Sequence, residues 1–150
     1  MQHHFDVRLP SDMSRVPALR ERFEEHCVDC ELEGVELEEW KVVFTELVCN
    51  AMEHGCRSPA DQVLVAWQVS HEAVSVCVTD PGPYDPRLVG LFDRKVSDFS
   101  ETGRGAGLIL IRHYTDCVSV EPDAGGGTRV CVSRRRGGGC AQAPEVPREL

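Results

Sequence analysis

The sequence predicts an α/β protein: a two-layer sandwich whose mixed or antiparallel sheet is covered on one face by about three helices. Three observations predict it. Alternating and helical segments are segregated along the chain, in the order β, α, α, β, β, connection, α, β, β. One segment, Glu36 to Glu53, carries a long apolar stripe at helical spacing. Two pairs of β-rich runs are each joined by a short turn, as in hairpins.

Taken in order, Phe5 to Leu9 alternates and reads as a short strand that Pro10 ends. Ser11 or Asp12 can cap a helix running to about Cys30, with Val16, Leu19, Phe23 and Cys27 at helical spacing, and Gly34 breaks it. In the next helix Trp40, Val43, Phe44, Leu47, Val48 and Ala51 form the apolar stripe. Glu46, Asn50 and His54 recur at i, i+4 and i+8, about 90° around the helix from that stripe. They sit at the edge of the core, where a pocket wall would stand, and Gly55 suits the stop. Gln62 to Ser70 and Glu72 to Asp80 are rich in β-branched residues and form a hairpin. Residues 81–104 hold Pro-rich turns, mixed charges and glycines with little periodicity, as a functional or mobile connection does. Leu108 to Tyr114 is helical, and Cys117 to Val120 pairs with Thr128 to Val132 across Gly125, Gly126 and Gly127. One domain therefore spans 1–133, and residues 134–150 turn to Arg, Gly, Pro and Glu, the composition of a disordered tail.

At 150 residues, with 41% hydrophobic and 27% charged residues, the chain can build one real core. No apolar run nears the roughly 20 residues of a membrane span. The first residues lack a basic and an apolar region, so no signal peptide is visible and a cytoplasmic location is expected. A net charge of -9 disfavours nucleic acid, whose affinity comes largely from cations meeting phosphates. Of the eight cysteines, Cys49, Cys77, Cys117 and Cys131 lie in apolar periodic stretches, so they are expected as buried thiols acting as small hydrophobes. Cys27 and Cys30, preceded by His26, have a metal-like or redox-like spacing, but a second ligand pair is missing.

Three segments carry the chemistry. A carboxamide such as that of Asn50 is a hard ligand for Mg²⁺, and the Glu46 carboxylate one turn earlier can accept a proton from an attacking hydroxyl. The same spacing also suits a solvated polar stripe. Asp80 ends a strand and precedes Pro81 and Gly82. Its carboxylate can accept from an amine such as that of adenine, or the three residues can simply make a turn. Gly103, Gly105 and Gly107 precede an apolar helix that starts near Leu108. Glycines there let N–H groups approach phosphates, and Arg104 can meet phosphate charge. The triplet lacks the Gly-Lys-Ser/Thr ending of a P-loop and follows no first strand, so neither P-loop nor Rossmann binding fits.

Together, Glu46-Leu-x-x-Asn50-Ala-x-x-His54-Gly, Asp80-x-Gly82, Gly103-Arg-Gly105-x-Gly107-Leu108 and Gly126-Gly127-Thr128 resemble the GHKL ATPase superfamily with its Bergerat fold. Within it, the chain is similar to the anti-sigma-factor serine/threonine kinases, from about residue 5 to 133. The resemblance implies ATP and Mg²⁺ as cofactors. It implies Asn50 as the Mg²⁺ ligand, Glu46 as general base, and Asp80 at the adenine amine with Gly82 and Thr128 in support. Gly103, Arg104, Gly105, Gly107 and Leu108 would surround the phosphates, under a lid of residues 86–104. It further implies a homodimer that phosphorylates an anti-sigma-factor antagonist and holds a sigma factor inactive.

The family often has Asp-x-Gly-x-Gly, and here Tyr84 stands at the second glycine. The stretch before Glu46 leaves no room for a phosphoacceptor-histidine hairpin, and the lid is short for the gyrase or mismatch-repair type. Two functional readings stay open: a kinase, or a nucleotide-gated interaction module that does not turn over.

Overall fold

A computed structural model describes residues 1–92 and 105–136. The elements are β1 (Gln2–Pro10), a 3-10 turn (Met13–Arg15), α1 (Val16–Asp29), α2 (Gly34–Gly55), β2 (Gln62–Ser70), β3 (Ala73–Asp80), α3 (Arg87–Phe92), α4 (Gly105–Tyr114), β4 (Cys117–Pro122) and β5 (Thr128–Arg135). The sheet has the strand order β1-β2-β3-β5-β4, and every neighbouring pair is antiparallel.

Register decides which face is covered. Trp67 on β2 lies opposite Phe5 on β1 and Val76 on β3, and Val76 lies opposite Val132 on β5. Successive strand residues point to opposite faces, so this row shares one face with Val63, Val65, Val69, Val74 and Val78. All but the half-buried Phe5, which packs against them, are buried in a single cluster with Phe23 of α1, Trp40, Phe44 and Val48 of α2, Leu88 of α3 and Ile111 of α4. The helices therefore cover one face, giving the two-layer sandwich. The other face carries Ala66, Ser75, Cys77, Cys131 and Ser133, and no described helix packs on it.

Local signals set the boundaries. Asp12 Oδ1 accepts from Ser14 N at 3.0 Å and caps the 3-10 turn, so the α-helix proper begins at Val16 rather than at the cap. Glu31 takes the left-handed conformation (φ 62°), and Leu32 N donates to Cys27 O at 2.9 Å, which closes α1. The β2–β3 turn is held by Ser70 Oγ, which accepts from Ala73 N at 3.2 Å. In the β4–β5 turn Gly126 has φ +89°, a conformation that L side chains rarely adopt. No helix among the described residues is long and apolar enough to cross a membrane.

Three sequence expectations need correction. Cys77 and Cys131 are not free thiols: they lie directly opposite each other on β3 and β5 and form a disulfide. Periodicity within a strand shows that a side chain is buried, but not which residue faces it across the sheet. The connection after Asp80 is not all irregular, because Leu88 and Phe92 anchor α3 in the core. Finally, β5 runs on through Arg135, so Arg134 and Arg135 belong to the sheet rather than to the tail. Arg134 Nη1 donates to Glu39 Oε2 and ties β5 to α2. Such a partner, distant in the sequence, offsets the charged composition that reads as disorder.

Candidate functional site

The site is built where the C-terminal half of α2, the end of β3, the start of β5 and the start of α4 converge. The apolar stripe of α2 fixes its rotation, with Val43, Phe44, Leu47 and Val48 buried. That leaves Glu46 and Asn50, one turn apart, half-buried at the edge of the core. The first turns of α4 lie against them. A Cβ built at Gly107 would overlap Glu46 Oε2 and stand 3.3 Å from Asn50 Nδ2, so a larger residue there would displace the Glu46 carboxylate. Asn50 Nδ2 is buried and makes no hydrogen bond among the described residues. A buried amide without a partner is costly, and such an orphan marks where a ligand belongs.

Glu46 titrates above the usual carboxylate range, because burial penalises its charge and the nearby Glu53 carboxylate repels it. That shift suits a proton acceptor. His54, the third polar residue of the stripe, is exposed, with its ring 3.8 Å from Glu53, and does not join the cluster.

Asp80 is held from three sides. A Cβ at Gly55 would overlap its carboxyl group, and a Cβ at Gly127 would overlap its carbonyl oxygen. Gly82 N donates to Asp80 Oδ1 at 2.9 Å, and a Cβ at Gly82 would stand 2.8 Å from Gly55 O. Thr128, opposite Asp80 in the β3–β5 register, donates from Oγ1 to Gly82 O at 3.3 Å. The Asp-Pro-Gly turn is therefore a seat for one carboxylate, assembled from three elements. Periodicity alone reads Gly55 as a helix stop, and its role as the floor under Asp80 emerges only in three dimensions.

Between these parts lies a cavity of about 20 Å³, lined by Asn50, Asp80, Leu88, Phe92, Leu108 and neighbouring apolar groups. That is room for about one water, so the slot is closed to a nucleotide in this conformation. A wider cleft of about 360 Å³ opens beside Gly55, Arg57, Gly82 and Gly126.

The structure thus brings together Glu46, Asn50, Asp80, Gly82, Gly107, Leu108 and Thr128. Gly105 opens α4. Gly103 and Arg104, together with most of the expected lid, lie outside the described residues. Leu88 and Phe92 were not legible as site residues, because six residues are too short to show helical periodicity. The Cys27 and Cys30 pair takes no part. Both are fully buried, and burial, with Cys30 beside it, pushes the Cys27 thiol up to about 12. A thiol so reluctant to ionise is a poor nucleophile near neutral pH.

Comparison with known proteins agrees with this architecture. A family profile described as "Histidine kinase-like ATPase domain" matches residues 9–134. A solved chain described as "Mycobacterial sensor histidine kinase MprB" superposes with a TM-score of 0.53 at 19% identity, covering 89% of this chain and 97% of that one. At that identity the likeness is one of fold. No curated protein matches the sequence.

Proposed function

The chain belongs to the histidine kinase-like ATPase domain family, and from that premise we propose that it binds Mg²⁺·ATP and acts as an anti-sigma-factor-type serine/threonine protein kinase. The observation that carries this reading is the pairing of Glu46 and Asn50 beneath Gly107: a carboxylate with a raised pKa, one turn from an unpartnered buried amide. Asn50 would hold the Mg²⁺ and turn its carboxamide to do so. Asp80, fixed by Gly55, Gly82 and Gly127, would accept from the adenine amine. Bound Mg²⁺·ATP supplies the transferable phosphoryl group with its charge partly neutralised. Glu46 accepts the proton from the serine or threonine hydroxyl of the acceptor, and its half-buried setting raises its affinity for that proton. Leu88, Phe92 and Leu108 make the apolar wall and exclude water from the slot. The acceptor is an anti-sigma-factor antagonist, the sequestered partner is a sigma factor, and the acting unit is a homodimer in the cytoplasm.

The test is phosphate transfer from labelled ATP to a candidate antagonist domain, sought among the products of neighbouring genes. Wild type should label a serine or threonine. Glu46→Gln should abolish labelling while ATP affinity changes less than about threefold, because Glu46 is assigned no metal. Loss of ATP binding in that variant would make Glu46 structural.

One observation favours a second reading, a nucleotide-gated interaction module without turnover. The slot between Asn50 and Asp80 is closed by Leu88 and Phe92, so nucleotide entry requires α3 or α4 to move. Such a movement can remodel a surface whether or not transfer follows. ATP-dependent capture of the partner without its phosphorylation would select this reading.

A further inference from the structure

We propose that the helix-free face of the sheet carries a second ligand site, a pocket for one small oxyanion gripped between Arg8 and Arg129. The register builds it. Arg8 on β1 lies opposite Leu64 on β2, Leu64 opposite Thr79 on β3, and Thr79 opposite Arg129 on β5. All four side chains therefore share one face, in one row across four strands. The two arginines stand three strand spacings apart, about 14 Å between their Cα atoms. At that distance two long side chains can converge over the shorter Leu64 and Thr79. They line a cavity of about 220 Å³ together with Gln62 and Asp123.

The chemistry of the lining selects the ligand. Arg129 is only 8% exposed and its Nη2 lies 4.0 Å from Cys77 Sγ, so its planar fork of donors is held in place by its neighbours. Among the described residues the Arg8 guanidinium makes no hydrogen bond or ion pair, and it is exposed enough to swing onto a ligand. Thr79 and Gln62 add a hydroxyl and an amide. A guanidinium fork matches the paired oxygens of a carboxylate or a phosphate. Glu121 lies opposite Arg129 on β4, and Asp123 stands at the rim, its carboxylate accepting from Gly125 N at 3.4 Å. These two carboxylates repel a polyanion, so the pocket takes a single oxyanion group rather than a polyphosphate chain. In a chain of net charge -9, two arginines on one wall concentrate such an anion locally.

The pocket backs onto the nucleotide side. Thr79 and Asp80 are consecutive on β3 and point to opposite faces, and Asp80 borders this pocket, beside Pro81, as well as the nucleotide slot, so the two sites meet at the end of β3. The inference rests on Arg8 and Arg129, which line this pocket and not the nucleotide slot.

The test uses the full chain, ¹⁵N-labelled, and follows the arginine Nε–H resonances during titration with inorganic phosphate and, separately, acetate, at constant ionic strength and without Mg²⁺. The resonances of Arg8 and Arg129 should shift together and saturate with at least one probe, and the two titrations decide between phosphate and carboxylate. Arg8→Gln, at an exposed position, should weaken the dissociation constant read at Arg129 at least tenfold. Arg8→Lys should recover part of the loss, because it restores charge without the fork. Asn50→Ala should leave the titration unchanged. Absence of a saturable shift with either probe in wild type would overturn the proposal. So would undiminished binding in Arg8→Gln, or loss in Asn50→Ala, which would place the anion in the nucleotide site.

Discussion

The carboxyl group of Asp80 rests on the Cα of Gly55, so closely that a β-carbon at position 55 would overlap its Cγ and both oxygens. Gly55 is the last residue of α2, and Asp80 the last of β3. The contact therefore joins the helix that carries Glu46 and Asn50 to the strand end that carries the carboxylate.

Gly55→Ala tests that join. Gly55 does not have a positive φ, so alanine meets no backbone penalty there and the substitution isolates the clash. The Asp80 carboxylate must move or the helix end must shift. ATP affinity should fall at least about tenfold, or ~1.4 kcal/mol, while far-UV circular dichroism stays native. Calorimetric titration reads the affinity, and an unchanged dissociation constant would mean that Asp80 is not the adenine contact.

Glu46 gives a prediction about stability. Its pKa is raised in the folded chain, by burial first and Glu53 second. Protonated Glu46 is therefore favoured by folding. The stability it contributes is complete below its ordinary value of 4.5 and is lost as pH rises through the folded pKa. Glu46→Gln removes that cost, so at pH 7 the variant should melt above wild type. The difference should vanish below about pH 4.5. Catalytic and stability effects of opposite sign at one residue are what a functional carboxylate predicts.

His26 sets the acid limb. Trp67 Nε1 donates to His26 Nδ1 at 3.0 Å, and the His3 ring stacks on His26 at 4.1 Å. An accepting Nδ1 requires the neutral ring. Burial, then His3, then Arg22 push its pKa below 6.5, against the weaker opposite pull of Asp29 and Glu25. The stability held by neutral His26 is complete above pH 6.5 and is lost as pH falls through the folded value. Melting temperature should decline below pH 6.5 in wild type and decline less in His26→Gln. Parallel pH profiles in the two proteins would show that the ring does not titrate in this range.

Much of this was legible in the sequence, for identifiable reasons. The rotation of α2 follows from six apolar residues at helical spacing, and that rotation alone places Glu46 and Asn50 at the core edge. Both hairpins follow from β-branched runs flanking short turns. What was not legible depends on neighbours across the fold. The Cys77–Cys131 bond requires the β3–β5 register, and the floor under Asp80 requires α2 to end against β3. The slot's closure depends on α3, whose six residues carry too few apolar positions to show a period.

The disulfide has a measurable consequence. It spans 54 residues, and closing a loop of that length in the unfolded chain is worth at most about 4 kcal/mol. Oxidised protein should show two fewer alkylatable thiols than reduced protein by intact mass. Cys77→Ser with Cys131→Ser should lower the midpoint of denaturant unfolding at constant slope. Equal thiol counts with and without reductant would show that the pair stays reduced.

Calorimetric titration of ATP into wild type and Asn50→Ala, each with and without Mg²⁺, tests the central claim most directly. Wild type should bind in a Mg²⁺-dependent manner, and Asn50→Ala should lose the Mg²⁺ dependence and at least about tenfold in affinity. Folded wild type that binds no ATP, or an Asn50→Ala variant that binds as wild type does, would contradict the assignment of this site to Mg²⁺·ATP.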